Sequence, residues 1–194
     1  MRKMTLNRHP IDITPYQATG AIGLEGGYGP PCTECGVSSW VELAGGPAPY
    51  SYHQNIDRLA RPEVDIIHDF DDGTIPLHDE HAAKMKFIDV LNYLTQDTAR
   101  LILQEVYRVL QPGGSFVLRV VDLPFVCKRI LEDGVVDQWL GAMYHSPDAS
   151  FEGFHRWGYS FETLKEELEA VGFINVTHKG HYNQWEFVTE CFKA

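Results

Sequence analysis

The sequence predicts an α/β fold built on an open, largely parallel sheet, and three observations carry that prediction. An amphipathic helical stretch, Asp97 to Leu110, runs into Pro112-Gly113-Gly114 and then into the apolar Ser115 to Val121. A β-branched run, Val64-Asp65-Ile66-Ile67-His68, is closed by a polar loop. The chain ends on two alternating segments, Phe173 to Thr177 and Trp185 to Phe192. Helix, reversal and apolar strand in that order are what a crossover connection between parallel strands requires.

In chain order, Met1 to Ser38 is the least regular part, with Gly and Pro gathered around Gly26 to Pro31. It reads as an arm or lid over a single domain, 39–194. Trp40-Val41-Glu42-Leu43 is a short strand running into the Ala44-Gly45-Gly46-Pro47 turn, Val64 to His68 a buried strand, and Lys84 to Ile88 a weaker one. In Asp97 to Leu110 the residues Leu101, Ile102, Val106, Val109 and Leu110 share a face. Proline cannot continue that ladder and glycine accepts the reversal, so the helix stops before Ser115. Pro124 to Tyr144 reads as helical with a break near Gly134, and a further helix starts at the N-cap Ser160 and ends at Gly172. The last two segments alternate with the period of half-buried strands and form an antiparallel pair.

Composition narrows the functions. The 194 residues, 44% of them hydrophobic, suffice for one sizeable core. Acidic residues outnumber basic ones 27 to 16, a formal charge of −11, which repels phosphate backbones and argues against nucleic acid as a partner. No run reaches the ~20 apolar residues of a membrane span, and the amino terminus has no unbroken apolar core. Four scattered cysteines do not make a disulfide framework, so the expected setting is cytoplasmic.

Open α/β sheets bind ligands at the carboxyl ends of their strands. The loops to inspect are therefore Glu42 to Ala48, where glycines allow close backbone approach, then Asn55-Ile56-Asp57, then Asp69 to Asp72. Asp57 is placed to accept hydrogen bonds from ribose hydroxyls.

These residues resemble the class I S-adenosylmethionine-dependent methyltransferases, especially the small "type 11" group. Glu42 with Gly45-Gly46, then Asp57, then Asp69-Phe70, then Arg108-Val109-Leu110-Gln111-Pro112-Gly113-Gly114 follow that family's order, and Ala170 to Phe173 resembles its last strand entry. The likeness runs from Trp40 to Phe192. It implies a doubly wound, mostly parallel, seven-stranded Rossmann-like sheet with an antiparallel terminal strand. It implies that S-adenosylmethionine is the cofactor, with Gly45 and Gly46, beside Glu42 and Ala44, beneath the methionine moiety. Asp57 then holds the ribose, Asp69 and Phe70 bracket the adenine, and Ile88 and Asp89 line the substrate side. Two positions differ from the pattern: Ala44 stands for the turn's first glycine, and Leu91-Asn92-Tyr93 for a frequent Leu-Glu-His.

Methyl transfer from a sulfonium asks mainly for alignment and exclusion of water, with a base where the acceptor must lose a proton. His145 and His155, in the stretch expected to overhang the cofactor, are the candidate bases, and Tyr144, Trp157 and Tyr159 the candidate walls for a small-molecule or sugar-like acceptor. The bland reading of His155 and Trp157 is packing of the last helix. Cys32-Thr33-Glu34-Cys35 is half a zinc motif whose completion needs distant histidines such as His53 or His68, and His78-Asp79-Glu80-His81 lacks the metalloprotease order. No metal is expected. The alternative to an enzyme is an inactive cofactor-fold scaffold, suggested by Ala44, Asn92-Tyr93 and the glycine-rich arm.

Overall fold

The computed structural model describes residues 32–34, 38–45, 53–145 and 154–194. Most of the expected arm, Gly46 to Tyr52, and residues 146–153 lie outside the described residues. Seven strands form one sheet in the order β3-β2-β1-β4-β5-β7-β6. They are β1 (Trp40–Leu43), β2 (Gln54–Asp57), β3 (Ile66–Ile67), β4 (Ala82–Ile88), β5 (Leu110–Val121), β6 (Phe173–His181) and β7 (Glu186–Lys193). Neighbours from β3 to β5 run parallel, and β7 is antiparallel to both β5 and β6. The expected sheet, including its reversed strand, is therefore present, with the chain crossing at β1/β4 so that β2 and β3 lie on one side and β5 on the other.

Helices α1 (Gln96–Val109), α2 (Leu123–Asp133), α3 (Asp137–Tyr144) and α4 (Phe161–Val171) complete the fold. The Thr95 side chain caps α1 by accepting from Thr98 N–H, and α4 opens on a capping box between Ser160 and Thr163. Gly172 ends α4 at φ 118°, a left-handed conformation that glycine adopts without cost. Ala99, Ile102, Leu103, Val106 and Val109 bury one stripe of α1 against the sheet. Leu101, expected on that stripe, is half exposed and lies over Gly73. The heart of the core is Leu43, Ile56, Met85, Phe87, Phe116 and Leu118, all fully buried.

Two boundaries differ from expectation. β5 begins at Leu110, and the Pro112-Gly113-Gly114 reversal is carried inside it as a bulge, because Ala82 pairs with Leu110 while Lys84 pairs with Ser115. β3 is reduced to two residues at the sheet's edge, where Ile67 is exposed. No helix among the described residues is long and apolar enough to cross a membrane.

Candidate functional site

The carboxyl ends of β1, β2, β3 and β4 open into one cleft. Ala44, Asp57, Asp69, Phe70, Ile88 and Asp89 line it, with Tyr93, His145 and Arg156 on the far wall, around a volume of about 220 Å³. Ala44 follows β1 at φ 53°, a left-handed conformation fixed by its N–H donating to the Ile56 carbonyl at 2.6 Å. Gly45 N–H donates to the Asn55 side chain at 3.1 Å, which draws the chain out of β1 past β2. Gly46 lies outside the described residues. Glu42 is buried within β1, its register partner on β4 being Lys86. Burial and the nearby Lys84 bring the Lys86 amine down to about 8, against the pull of Glu42.

Asp57 ends β2 almost fully buried, and one carboxylate oxygen accepts from Leu59 N–H at 2.9 Å. Asp69 caps the short turn that follows β3 by accepting from Asp71 N–H at 3.1 Å. That turn buries Phe70, whose ring meets His68 and Phe87 edge-on. Acidic groups at two strand ends beside an apolar slot suit a nucleoside: carboxylates accept from sugar hydroxyls, and Phe70 and Ile88 offer apolar contact to a base.

Beyond β4 the wall is charged. Asp89, at φ 59°, donates its N–H to the Arg119 carbonyl at 3.1 Å, and Arg119 Nε returns a bond to the Asp89 carboxylate at 2.6 Å. Glu186 faces the same guanidinium at 3.6 Å, and Tyr182 lies under it at 3.8 Å. Burial disfavours the charge on Arg119, but the bond to Asp89 and the two carboxylate charges outweigh it and hold its pKa above the usual value. Burial and the Asp89 charge push the Glu186 carboxyl up.

One further cavity adjoins this wall, and another adjoins that cavity. One of about 330 Å³ is lined by Asp89, Tyr93, His145, His155, Trp185 and Glu186 among others, and so shares Asp89, Tyr93 and His145 with the first cleft. The other, about 370 Å³, has Tyr144, His155, Trp157 and Leu123 on its walls. Tyr93 Oη and His145 Nδ1 are 2.7 Å apart, and the His155 ring meets Tyr93 edge-on at 4.7 Å. Burial, reinforced by the Asp89 and Glu186 charges, pushes the Tyr93 phenol up to about 12, so it stays protonated. His155 Nδ1 lies 3.2 Å from the Met143 carbonyl, which can only accept, so Nδ1 carries the proton and Nε2 the lone pair. Burial lowers the His155 pKa, with the neighbouring His145 adding to it against the Met143 bond.

Of the expected residues, the structure gathers Ala44, Asp57, Asp69, Phe70, Ile88, Asp89 and His145 around one cleft, and His155, Tyr144 and Trp157 around the adjoining cavities. Tyr159 is a correction: it is fully buried in the main core and bridged to Asp122, so it presents no surface to an acceptor. Sequence reasoning missed Asn92, Arg119 and Glu186. Asn92 accepts from Arg156 N–H at 2.7 Å and Val121 N–H at 3.2 Å and donates to the Trp157 carbonyl at 3.1 Å, which ties the 154–159 segment over the strand ends. The signal for Arg119 was a lone charge in the otherwise apolar Phe116 to Val121.

No family model and no curated protein matches this chain. Solved structures do. A methyltransferase of Thermotoga maritima described as S-adenosylmethionine-dependent aligns at TM-score 0.57 with 17% identity, over 80% of this chain and 82% of that one. One from Methanosarcina mazei, described likewise, aligns at 0.56 with 16% identity over 79% and 91%. Human N-acetylserotonin methyltransferase, solved with S-adenosylmethionine, aligns at 0.53 with 15% identity over 80% and 47%. The chain has the class I S-adenosylmethionine-dependent methyltransferase fold.

Proposed function

We propose that this protein is an S-adenosylmethionine-dependent methyltransferase acting on a small-molecule acceptor. The observation that carries the reading is the pairing of two spaces. An acid-and-aromatic cleft at the ends of β1 to β4 shares Asp89, Tyr93 and His145 with a second cavity lined by histidine, tryptophan and a carboxylate. Fold likeness to methyltransferases, one of them solved with S-adenosylmethionine, supports the choice of cofactor.

In this reading Asp57 accepts from the ribose hydroxyls. Asp69 and Phe70 bracket the adenine, Ile88 lines the cofactor beside Asp89, and Ala44 and Gly45 run beneath the methionine portion beside Glu42. Asp89 and His145 stand at the junction of the two spaces. When bound, the cofactor supplies a methyl group on a positively charged sulfur, already activated for displacement. The chain's task is to align the acceptor and to take its proton if it has one to lose. His155 suits that step: Nε2 holds the lone pair and burial keeps the ring neutral at neutral pH. Trp157, Trp185 and Tyr144 border the space left for an acceptor, and the polar groups Glu186 and Tyr93 suit a hydroxyl- or amine-bearing molecule such as a sugar.

The test is calorimetry with S-adenosylmethionine and its demethylated product, followed by turnover on a panel of small hydroxyl and amine acceptors. Binding of both, with methylation of at least one acceptor, is expected. If neither binds, the methyltransferase reading falls and the scaffold reading replaces it.

A further inference from the structure

We propose that Cys32, His78 and His81 form a zinc site at the opposite end of the strands from the cleft. The sequence reading, which expected no metal, looked to His53 or His68 to complete the Cys32 motif. Instead, His53 packs against the Trp40 ring and His68 Nε2 bonds to the Thr74 carbonyl. The loop before β4 brings His78 and His81 to Cys32, and one donor atom from each of the three residues lies within 4.8 Å of the other two.

Two of the three ligand spacings match those of a metal site. Zinc bonds of about 2.0–2.1 Å to nitrogen and about 2.3 Å to sulfur put tetrahedral ligand atoms about 3.3–3.6 Å apart. Here Cys32 Sγ is 3.3 Å from His78 Nε2, and His81 Nδ1 is 3.2 Å from the same nitrogen. Proton placement points the same way. His78 Nδ1 lies 2.8 Å from the Asp79 carbonyl, an acceptor only, so it carries a proton and leaves the Nε2 lone pair toward Cys32 and His81. This is the backbone bond that orients metal-binding imidazoles, and the Glu34 carboxylate, 3.5 Å from the same Nδ1, supports it. With a metal bound, thiolate and both imidazoles direct lone pairs at a common centre.

Cys32 and His81 are buried while His78 is partly exposed, which leaves an entry path. His81 immediately precedes β4, and Ser39, whose carbonyl accepts from Ala83 N–H, precedes β1. Ligands at the amino ends of parallel strands cannot reach an acceptor at the carboxyl ends, so the metal's role is structural. It fastens residue 32 of the amino-terminal segment to the sheet. Cys35, at the Cys-x-x-Cys spacing from Cys32, lies outside the described residues, and the three ligands stand without it.

The full chain, purified without a polyhistidine tag, should contain stoichiometric zinc by elemental analysis, and its melting temperature should fall on treatment with a chelator and recover with Zn²⁺. Cys32→Ser should bring the zinc content to background. Should that variant fail to fold, Co²⁺ added to chelated wild-type protein should produce a near-ultraviolet thiolate-to-cobalt charge-transfer band. Protein that carries no zinc, whose melting temperature ignores both chelator and Zn²⁺, and that yields no such band with Co²⁺ overturns the proposal. S-adenosylmethionine binding, measured on the same samples, is a separate readout, since the zinc site does not depend on what occupies the cleft.

Discussion

Tyr93 and His145 meet side chain to side chain, phenol oxygen to Nδ1 at 2.7 Å, across a sequence separation of 52 residues. Tyr93 lies just past β4 and His145 closes α3, so the bond joins the two walls where the cleft and the second cavity share residues. Because Tyr93 stays protonated, a phenol rather than a phenolate meets the imidazole and holds it in place.

Tyr93→Phe keeps the ring contact with His155 and deletes this bond. Turnover should fall about tenfold, equivalent to about 1.4 kcal/mol in the barrier, with cofactor affinity unchanged. Steady-state kinetics beside calorimetry check it. A loss in cofactor affinity alone would move the pair's role to the first cleft.

Asp57→Ala removes the carboxylate assigned to the ribose. Affinity for S-adenosylmethionine should weaken by roughly 1–3 kcal/mol, the cost of leaving ligand hydroxyls without a charged acceptor. Unchanged affinity in calorimetry would put the ribose elsewhere in the cleft.

Asn92→Ala should be among the most destabilising single changes outside the apolar core. The side chain is buried, and removing it leaves the Val121 N–H and the Trp157 carbonyl without that partner. A loss of about 2–3 kcal/mol by urea unfolding is expected. Restoring the amide with a glutamine should not recover it, because the extra methylene shifts the amide out of register with the same two groups.

Which parts were legible in the sequence follows from the range of the interactions involved. β5, α1 and α4 announce themselves through local periodicity and caps such as Ser160 and Gly172, whereas β4 gave only a weaker signal. The carboxylates at the strand ends followed from the rule that parallel sheets bind ligands there, together with the family resemblance. Asn92 was read only as a missing acid and histidine, because its bonds to Val121 and residues 156–157 are made by tertiary packing. Tyr159 misled for the converse reason: an aromatic beside the expected acceptor loop is indistinguishable by spacing from one that turns into the core. The Cys32, His78 and His81 cluster spans 46 residues between Cys32 and His78, a separation that no motif spacing reports.

Ala44 tests whether departure from a glycine turn disables the cleft. At φ 53° an alanine is strained by about 1–2 kcal/mol, while glycine costs about 0.4–1 kcal/mol more in unfolded-chain entropy, so Ala44→Gly should leave stability unchanged or raise it by up to about 1.6 kcal/mol and retain cofactor binding. Ala44→Val places a β-branched side chain at a left-handed position on the cleft wall. It should lower the melting temperature and abolish binding, as thermal shift with and without S-adenosylmethionine can show.

His155 gives the pH dependence. Burial, with the charge of His145, takes its pKa below the ordinary 6.5. The folded state therefore keeps the ring neutral to lower pH than the unfolded chain does. The associated stability is complete above 6.5 and is lost as pH falls through the folded value. If Nε2 accepts the acceptor's proton, the acid limb of kcat/KM should fall below pH 6.5 in the same window. His155→Ala should flatten that limb and reduce turnover by about 10²-fold or more, with S-adenosylmethionine affinity retained. A variant that loses stability yet keeps its turnover and its acid limb would return His155 to packing, and Tyr93 with His145 would be left as the polar groups facing the acceptor.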